Sequence, residues 1–207
     1  MVSMRIDRIE TSGFSSNCYL LCSDGEALIV DPSADPDRID SALKSQNARL
    51  AGIVLTHGHF DHLLSLDRIR KREQRRIPVY LHEGDAGFLS DPVRNASGLL
   101  GTELRFEAED VNLRDGDRIP VGKEWVAVRS TPGHTPGSVC LVCGSAGMVT
   151  GDTLFAEGYG RYDLPGGDRE QLFRSLNGLA ALDPETRIEP GHGSSSTLGA
   201  ALRLIGI

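Results

Sequence analysis

Apolar and polar positions fall into short blocks along the first thirty residues. Residues 4–10 and 17–22 read as strands, and Glu26-Ala27-Leu28-Ile29-Val30-Asp31 reads as a third after the Asp24-Gly25 turn. Together they predict an antiparallel meander ended by Asp31-Pro32. Asp35-Pro36 then starts a helix, with aspartate as cap and proline in the first turn, and Ile39 and Leu43 supply its inward face. Ile53-Val54-Leu55 is a buried strand, and Leu63, Leu64, Leu66 and Ile69 predict a helix ending near Arg75-Arg76-Ile77-Pro78. Pro78–His82 is another buried strand. Residues 84–112 show little periodicity, with short helical turns at most; a loop of that length in a compact domain is expected to border a site.

The second half returns to strands. Asp117–Pro120 and Trp125–Thr131 pair around Val121-Gly122-Lys123, and Ser138–Cys143 and Gly147–Thr150 follow with Gly144-Ser145-Ala146 as their turn. Gly158–Gly167 is a glycine-rich loop. Asp168 and Gln171 form a capping box for a helix whose apolar face is Leu172, Phe173, Leu176 and Leu179. Thr186–Glu189 is read as the last strand, before a terminal helix with Leu198, Leu202 and Ile205. Each half runs strands, helix, strand, helix, strand, split near residue 110 without a detectable repeat. That order predicts an α/β protein of two sheets enclosed by helices.

Length and charge narrow the function. The 207 residues suit a single domain, 1–207, with 25% charged and 39% apolar residues. The net charge is 22 − 29 = −7, a poor match to a nucleic-acid-binding surface. No run of 18 apolar residues spans a membrane, and Met1-Val2-Ser3-Met4-Arg5 lacks the core of a signal peptide, so a cytoplasmic location is expected. Arg68, Arg70, Lys71, Arg72, Arg75 and Arg76 are read as the solvated back of a helix rather than an anion-binding face. Cys18, Cys22, Cys140 and Cys143 are read as buried, reduced and structural; three residues apart on a strand, Cys140 and Cys143 face opposite sides.

The chemistry concentrates in Thr56-His57-Gly58-His59-Phe60-Asp61-His62. Where a strand gives way to a helix, His57 and His59 fall on one side of extended chain, and Asp61 and His62 lie at the turn that follows. Three imidazoles and a carboxylate at that spacing are ligands for zinc, iron or manganese. Of the other three histidines, two sit in tight turns, Thr131-Pro132-Gly133-His134 and Glu189-Pro190-Gly191-His192, and Gly151-Asp152-Thr153 follows a short strand. Each is a ligand type at the carboxyl end of a strand signal, where loops build sites. His82, at a strand end outside this pattern, is read as structural.

His57-x-His59-x-Asp61-His62 followed in order by His134, Asp152 and His192 resembles the ligand set of the metallo-β-lactamase fold over nearly the whole chain. Gly151-Asp152-Thr153-Leu154-Phe155 with Gly160-Arg161 further resembles the glyoxalase II-like (hydroxyacylglutathione hydrolase-like) thioester hydrolases, here without their C-terminal glutathione-binding helical domain. The resemblance implies a four-layer αββα sandwich with the metal site at one edge between the sheets. It implies two divalent metal ions, zinc first, with iron or manganese as options. His57, His59 and His134 would hold one, Asp61, His62 and His192 the other, and Asp152 would bridge them. It implies a cytoplasmic dinuclear hydrolase whose metal-bound hydroxide attacks a small-molecule thioester, with Asp61 also orienting the nucleophile and Arg161 binding a substrate carboxylate. Asp163 stands where those enzymes carry tyrosine. The same pattern also fits a mononuclear-iron persulfide dioxygenase using His57, His134 and Asp152, or a hydrolase of another ester or lactone. A nuclease is disfavoured by acidity, and an inactive scaffold by the intact ligand set.

Overall fold

Three apolar clusters separate four layers in the computed structural model, which describes residues 4–13, 16–73 and 76–207. The amino-terminal layers comprise β1 (Arg5–Ile9), β2 (Cys18–Ser23), β3 (Glu26–Val30), α1 (Pro36–Ser45), β4 (Arg49–Val54), α2 (Leu66–Arg72), β5 (Val79–His82) and β6 (Val111–Leu113). The carboxy-terminal ones comprise β7 (Arg118–Val121), β8 (Glu124–Ser130), β9 (Val139–Val142), β10 (Met148–Gly151), a ribbon of β11 (Leu154–Phe155) and β12 (Gly158–Tyr159), α3 (Arg169–Leu179), β13 (Arg187–Pro190), β14 (Ser196–Thr197) and α4 (Leu198–Leu204). Among the described residues these make two six-stranded sheets, ordered β1-β2-β3-β4-β5-β6 and β14-β13-β10-β9-β8-β7. Among the described residues no helix is long and apolar enough to cross a membrane.

Strand alternation assigns each side chain to a layer. Along β2, Cys18, Leu20 and Cys22 join Ile39, Leu43, Leu66 and Ile69 beneath the first helices, whereas Tyr19 and Leu21 face the second sheet. In the other sheet Cys140 packs with Leu172, Leu176 and Leu202 under α3 and α4, and Val139, Leu141 and Cys143 face inward. Cys140 and Cys143 therefore lie on opposite sides of their sheet, as their spacing predicts. All four cysteines are free and buried.

The meander β1-β2-β3 is antiparallel, and β4, β5 and β6 add in parallel. In the second sheet β7 to β10 are antiparallel and β13 adds in parallel to β10. The carboxyl ends of β4, β8, β10 and β13 thereby reach one edge, where the sheets touch: Val139 N–H donates to Thr56 O (2.9 Å), Asn17 N–H to Gly191 O (2.7 Å) and Tyr19 Oη to Pro190 O (2.6 Å).

Several boundaries differ from the sequence expectation. The helix after the histidine motif does not start at Leu63 or reach residue 75. Ser65 N–H is taken by Pro32 O, from outside the helix, so the α-helical turns begin at Leu66 and end at Arg72; Gln74 and Arg75 lie outside the described residues. β6 belongs to the first sheet, which moves the division between halves past residue 113, and β14 follows β13 as a further strand. The Asp168–Gln171 box is half-formed: Asp168 accepts from Gln171 N–H (2.9 Å), but the glutamine side chain turns to the aspartate carboxylate (3.0 Å). The basic stretch is neutralised locally, Arg68 by Asp35, Arg72 by Asp37 and Asp40, and Arg70 and Arg76 by Asp110. His82 caps Gly84 N–H (3.1 Å) and meets Ser130 Oγ (2.9 Å), a structural role.

Candidate metal centre

β4 runs out at Val54 into Leu55-Thr56, and the position of the following histidines is fixed by a carboxylate that pattern alone does not single out. Asp31, fully buried at the end of β3 with φ 50°, accepts from Thr56 N–H (2.8 Å), Thr56 Oγ1 (2.7 Å) and His62 Nδ1 (2.8 Å). A carboxylate in that setting only accepts, so His62 Nδ1 carries the hydrogen and Nε2 points into the cluster. His59 precedes one 3-10 turn, Phe60–His62, whose tight winding turns Asp61 and His62 toward the same point. His134 follows β8 and is oriented from across the site: its Nδ1 donates to Arg161 O at 2.6 Å, leaving Nε2 free.

All seven donor residues expected from the sequence meet. His134 Nε2 lies 2.9 Å from His59 Nδ1 and 3.2 Å from His57 Nε2. His192 Nε2 is 3.2 Å from Asp61 Oδ2, and His62 Nε2 is 3.8 Å from the same oxygen. Asp152 stands between these groups, with Oδ1 3.4 Å from His62 Nε2 and Oδ2 3.6 Å from His134 and 3.5 Å from His192. An ion with tetrahedral bonds of about 2.0–2.1 Å separates its ligand atoms by roughly 3.3 Å. Three sets bring one donor atom from each residue within 4.8 Å of one another, close enough to contract onto an ion: His57, His59 and His134; His57, His62 and Asp152; Asp61, His62 and His192.

The donor atoms themselves test the fit. His62 Nε2 and Asp152 Oδ1 are buried, face each other and have no hydrogen-bond partner, an arrangement that costs free energy unless a metal cation or a proton joins them. Burial, reinforced by the neighbouring imidazoles, holds His57 well below the usual histidine range and His59 at about 3, which keeps both as neutral lone-pair donors. Burial opposes ionisation of Asp152 and Asp61 too, but His62 and His192, joined by His134 at Asp152, outweigh it and hold both carboxyls below the ordinary value. For His62, burial is outweighed by Asp31, Asp61 and Asp152, and its pKa is raised. Gly191 lets the chain pass this close: a Cβ there would lie 2.1 Å from Asp152 Oδ1 and 2.8 Å from His62 Cε1.

A second buried carboxylate, Asp85, also escapes a sequence reading. Its Oδ2 accepts from Gly58 N–H (2.9 Å) and Thr135 Oγ1 (2.8 Å), and its Oδ1 from Gly137 N–H (2.6 Å). It thus ties the His57–His59 segment to the His134 turn. In the sequence it sits in a loop with no periodic neighbours, and the Glu83-Gly84-Asp85 turn offers no ligand-like spacing to find it by.

The cluster opens on a cavity of about 520 Å³ lined by Phe60, Ala96, Leu99, Leu100, Phe155, Tyr159, Arg161 and Leu164 together with five of the seven donors. The long 84–112 segment does border the site, through Ala96, Leu99 and Leu100. Arg161 is at the rim, but its guanidinium is forked onto Asp163, Nε to Oδ1 at 2.7 Å and Nη2 to Oδ2 at 2.8 Å.

A layered sandwich with an imidazole and carboxylate cluster at the sheet edge defines a class of metal-dependent enzymes, and comparison with known proteins narrows it. Residues 11–192 match the Metallo-beta-lactamase superfamily, to which the chain belongs. It is 37% identical over 193 residues to the probable metallo-hydrolase YqgX of Bacillus subtilis (strain 168), covering 92% of this chain and 90% of that one. Among solved structures it resembles the BLEG-1 B3 metallo-beta-lactamase (TM-score 0.86, 34% identity, 97% of this chain and 100% of that one). It also resembles TTHA1623, solved in a di-iron-bound form (TM-score 0.79, 32% identity, 95% and 97%). Within the superfamily the protein is a metallo-hydrolase.

Proposed function

We propose that the protein is a glyoxalase II-like hydrolase that cleaves thioesters with two divalent cations. The observation that carries this reading is the position of Asp152, whose carboxylate lies 3.6 Å from His134 of one donor set and 3.4 and 3.5 Å from His62 and His192 of the other. In this reading His57, His59 and His134 would hold one cation and Asp61, His62 and His192 the other, with Asp152 available to both. Zinc suits the nitrogen-rich set, and iron or manganese is accommodated by the same donors; TTHA1623 is a relative that takes two irons. When bound, such cations supply Lewis acidity and lower the pKa of a coordinated water from about 15.7 toward about 7.

The chain's own residues do the rest. Asp61, kept ionised beside His62 and His192, accepts a hydrogen bond from the attacking water and aims its lone pair at the substrate carbonyl. Asp31 and the Arg161 carbonyl hold His62 and His134 in the tautomers that present Nε2 inward. The cavity lining contains no carboxyl or imidazole outside the donor set. A thiolate leaves without an added proton, its conjugate acid having a pKa of about 8.5, whereas an amide nitrogen requires one. This favours a thioester among acyl substrates. Arg161, as a substrate-binding cation at the rim, would meet a carboxylate of the thiol carrier, not of the acyl group, in exchange for Asp163.

Metal analysis of the purified protein beside hydrolysis of S-lactoylglutathione tests the reading. Two metal equivalents per chain and a kcat/KM that falls on the order of 10²-fold or more in Asp61→Ala are expected. Two metals with no thioester cleavage would overturn the substrate class, and one iron with oxygen consumption would point instead to the dioxygenase chemistry.

A further inference from the structure

The cavity beside the cluster is built unlike its floor. Its floor is donors; its outer wall is the turn Ser97–Leu100, which holds Leu99 and Leu100 at 63% and 67% exposure. Two adjacent leucines so exposed are unfavourable unless something apolar covers them. The turn that displays them is fastened. Ala96 and Gly101 on either side take φ of 67° and 69°. The fully buried Asn95 accepts from Ser97 N–H (3.0 Å) and donates through Nδ2 to Leu104 O (2.9 Å). Phe60 N–H donates to Asn95 O (2.9 Å), joining the turn directly to the segment that carries Asp61 and His62. The leucines are thus presented at a fixed place relative to the donors.

The charge in the lining points the same way. Arg161 is the only basic residue other than histidine in the lining, and two of its N–H groups are taken by Asp163 in a fork. Outside the donor set the wall therefore offers apolar surface and a neutralised pair.

Resting on the hydrolase reading above, we infer that the substrate's acyl group is an uncharged apolar chain, seated from the cluster along Phe60 and Phe155 to Leu99 and Leu100. The apolar arm is the acyl one because thiol carriers of the cell are polar, amide-rich or anionic next to sulfur. Hydrolysis of such a thioester forms a C–O bond from water, breaks the C–S bond, and releases the chain as a carboxylate and the carrier as a thiol, one proton of the water ending on sulfur and the other in solvent, with no oxidant or reductant. Asp163 has a part in this choice: by occupying Arg161 it withholds the cation that would draw an acyl group ending in a carboxylate.

The test uses the metal-loaded protein with acetyl, butyryl, hexanoyl and octanoyl thioesters of N-acetylcysteamine, the p-nitrophenyl esters of the same acids, and the succinyl thioester. We expect kcat/KM to rise about two- to fourfold per methylene up to hexanoyl, the gain for burying each CH₂ in full or in part. Butyryl should exceed succinyl. In Leu99→Ser/Leu100→Ser the octanoyl-to-acetyl ratio should collapse toward one, with the unfolding midpoint confirming that these exposed positions leave the fold intact. In Asp163→Asn the succinyl-to-butyryl ratio should rise. A flat wild-type series, succinyl outrunning butyryl, or an unchanged slope in the double variant would overturn the inference. A slope in the p-nitrophenyl series without thioester cleavage would remove the thioester reading and keep the apolar acyl site; equal cleavage of all thioesters would do the reverse. If neither series turns over, calorimetry decides: octanoate must bind more tightly than acetate, and equal affinities refute the site.

Discussion

Replacing Asp85 by alanine should loosen two ligand-bearing segments at once, and the size of the effect follows from its contacts. Three donors converge on this carboxylate, which is fully shielded from solvent. Burial raises its pKa, against the pull of Thr135, Gly137 and Gly58. Thr135 has a second partner, Ser138 Oγ at 2.8 Å, so its hydroxyl is not orphaned by the substitution. The amides of Gly58 and Gly137 have no such alternative on the carboxylate's side. Each buried N–H left unsatisfied costs about 1–3 kcal/mol, so Asp85→Ala should lose about 2–6 kcal/mol. In Asp85→Asn the side-chain oxygen can keep Gly58 and Thr135, but its NH₂ then faces the Gly137 N–H, and one orphan costs about 1–3 kcal/mol. Against a total stability of about 5–15 kcal/mol, both are measurable by urea unfolding of the metal-free protein, as midpoint shifts at constant slope. The order wild type, Asn, Ala is the required result. Asp85→Ala within about 1 kcal/mol of wild type, or Asn equal to wild type, would refute the bracing role and the accounting behind it.

Two further outcomes are expected from the centre itself. Gly191→Ala places a methyl 2.1 Å from Asp152 Oδ1; the carboxylate must move by about an ångström, so metal content should drop by roughly one equivalent and hydrolysis by about 10²-fold, and full metal content by elemental analysis would contradict this. His62 and His192 have raised pKa values because Asp61 and Asp152, joined by Asp31 at His62 alone, outweigh burial, so below those raised values the metal-free protein holds protons there that a cation must displace. Zinc added to metal-free protein at pH 7 in weak buffer should acidify it, with the proton release shrinking as pH rises through those raised values, as an indicator dye would record.

Much of this fold was legible because it rests on local alternation. The meander β1-β2-β3, the capped start at Asp35-Pro36 and the inward faces of α1 and α3 all follow from periodicity, and the observed layers agree except at Phe173, which is only half-buried and packs on Tyr159 and Arg169 instead of joining Leu172, Leu176 and Leu179. β6 was not legible, since Val111 and Asn112 are exposed and only Leu113 is buried, so its pairing with β5 leaves no apolar pattern. The two-residue strands β11, β12 and β14 are too short to carry one. The donor residues were legible through their chemistry: imidazoles next to glycine or proline after strand signals seldom serve packing. Their supports were not. Asp31 looks like a strand terminus and Asp85 like a loop acid, because what defines each is a set of partners 25 to 52 residues away. Arg161 shows the opposite gap: its type and place were readable, its engagement by Asp163 was not.

The hydrogen bond from His134 Nδ1 to the main chain at residue 161 couples two properties that an engineer would prefer to vary separately. The strand-to-loop segment that borders the entrance is also the clamp on an imidazole donor. Insertions or deletions made there to admit a bulkier guest would tilt that ring and weaken ion retention, so variants selected for new guests should demand more metal in the medium to stay active.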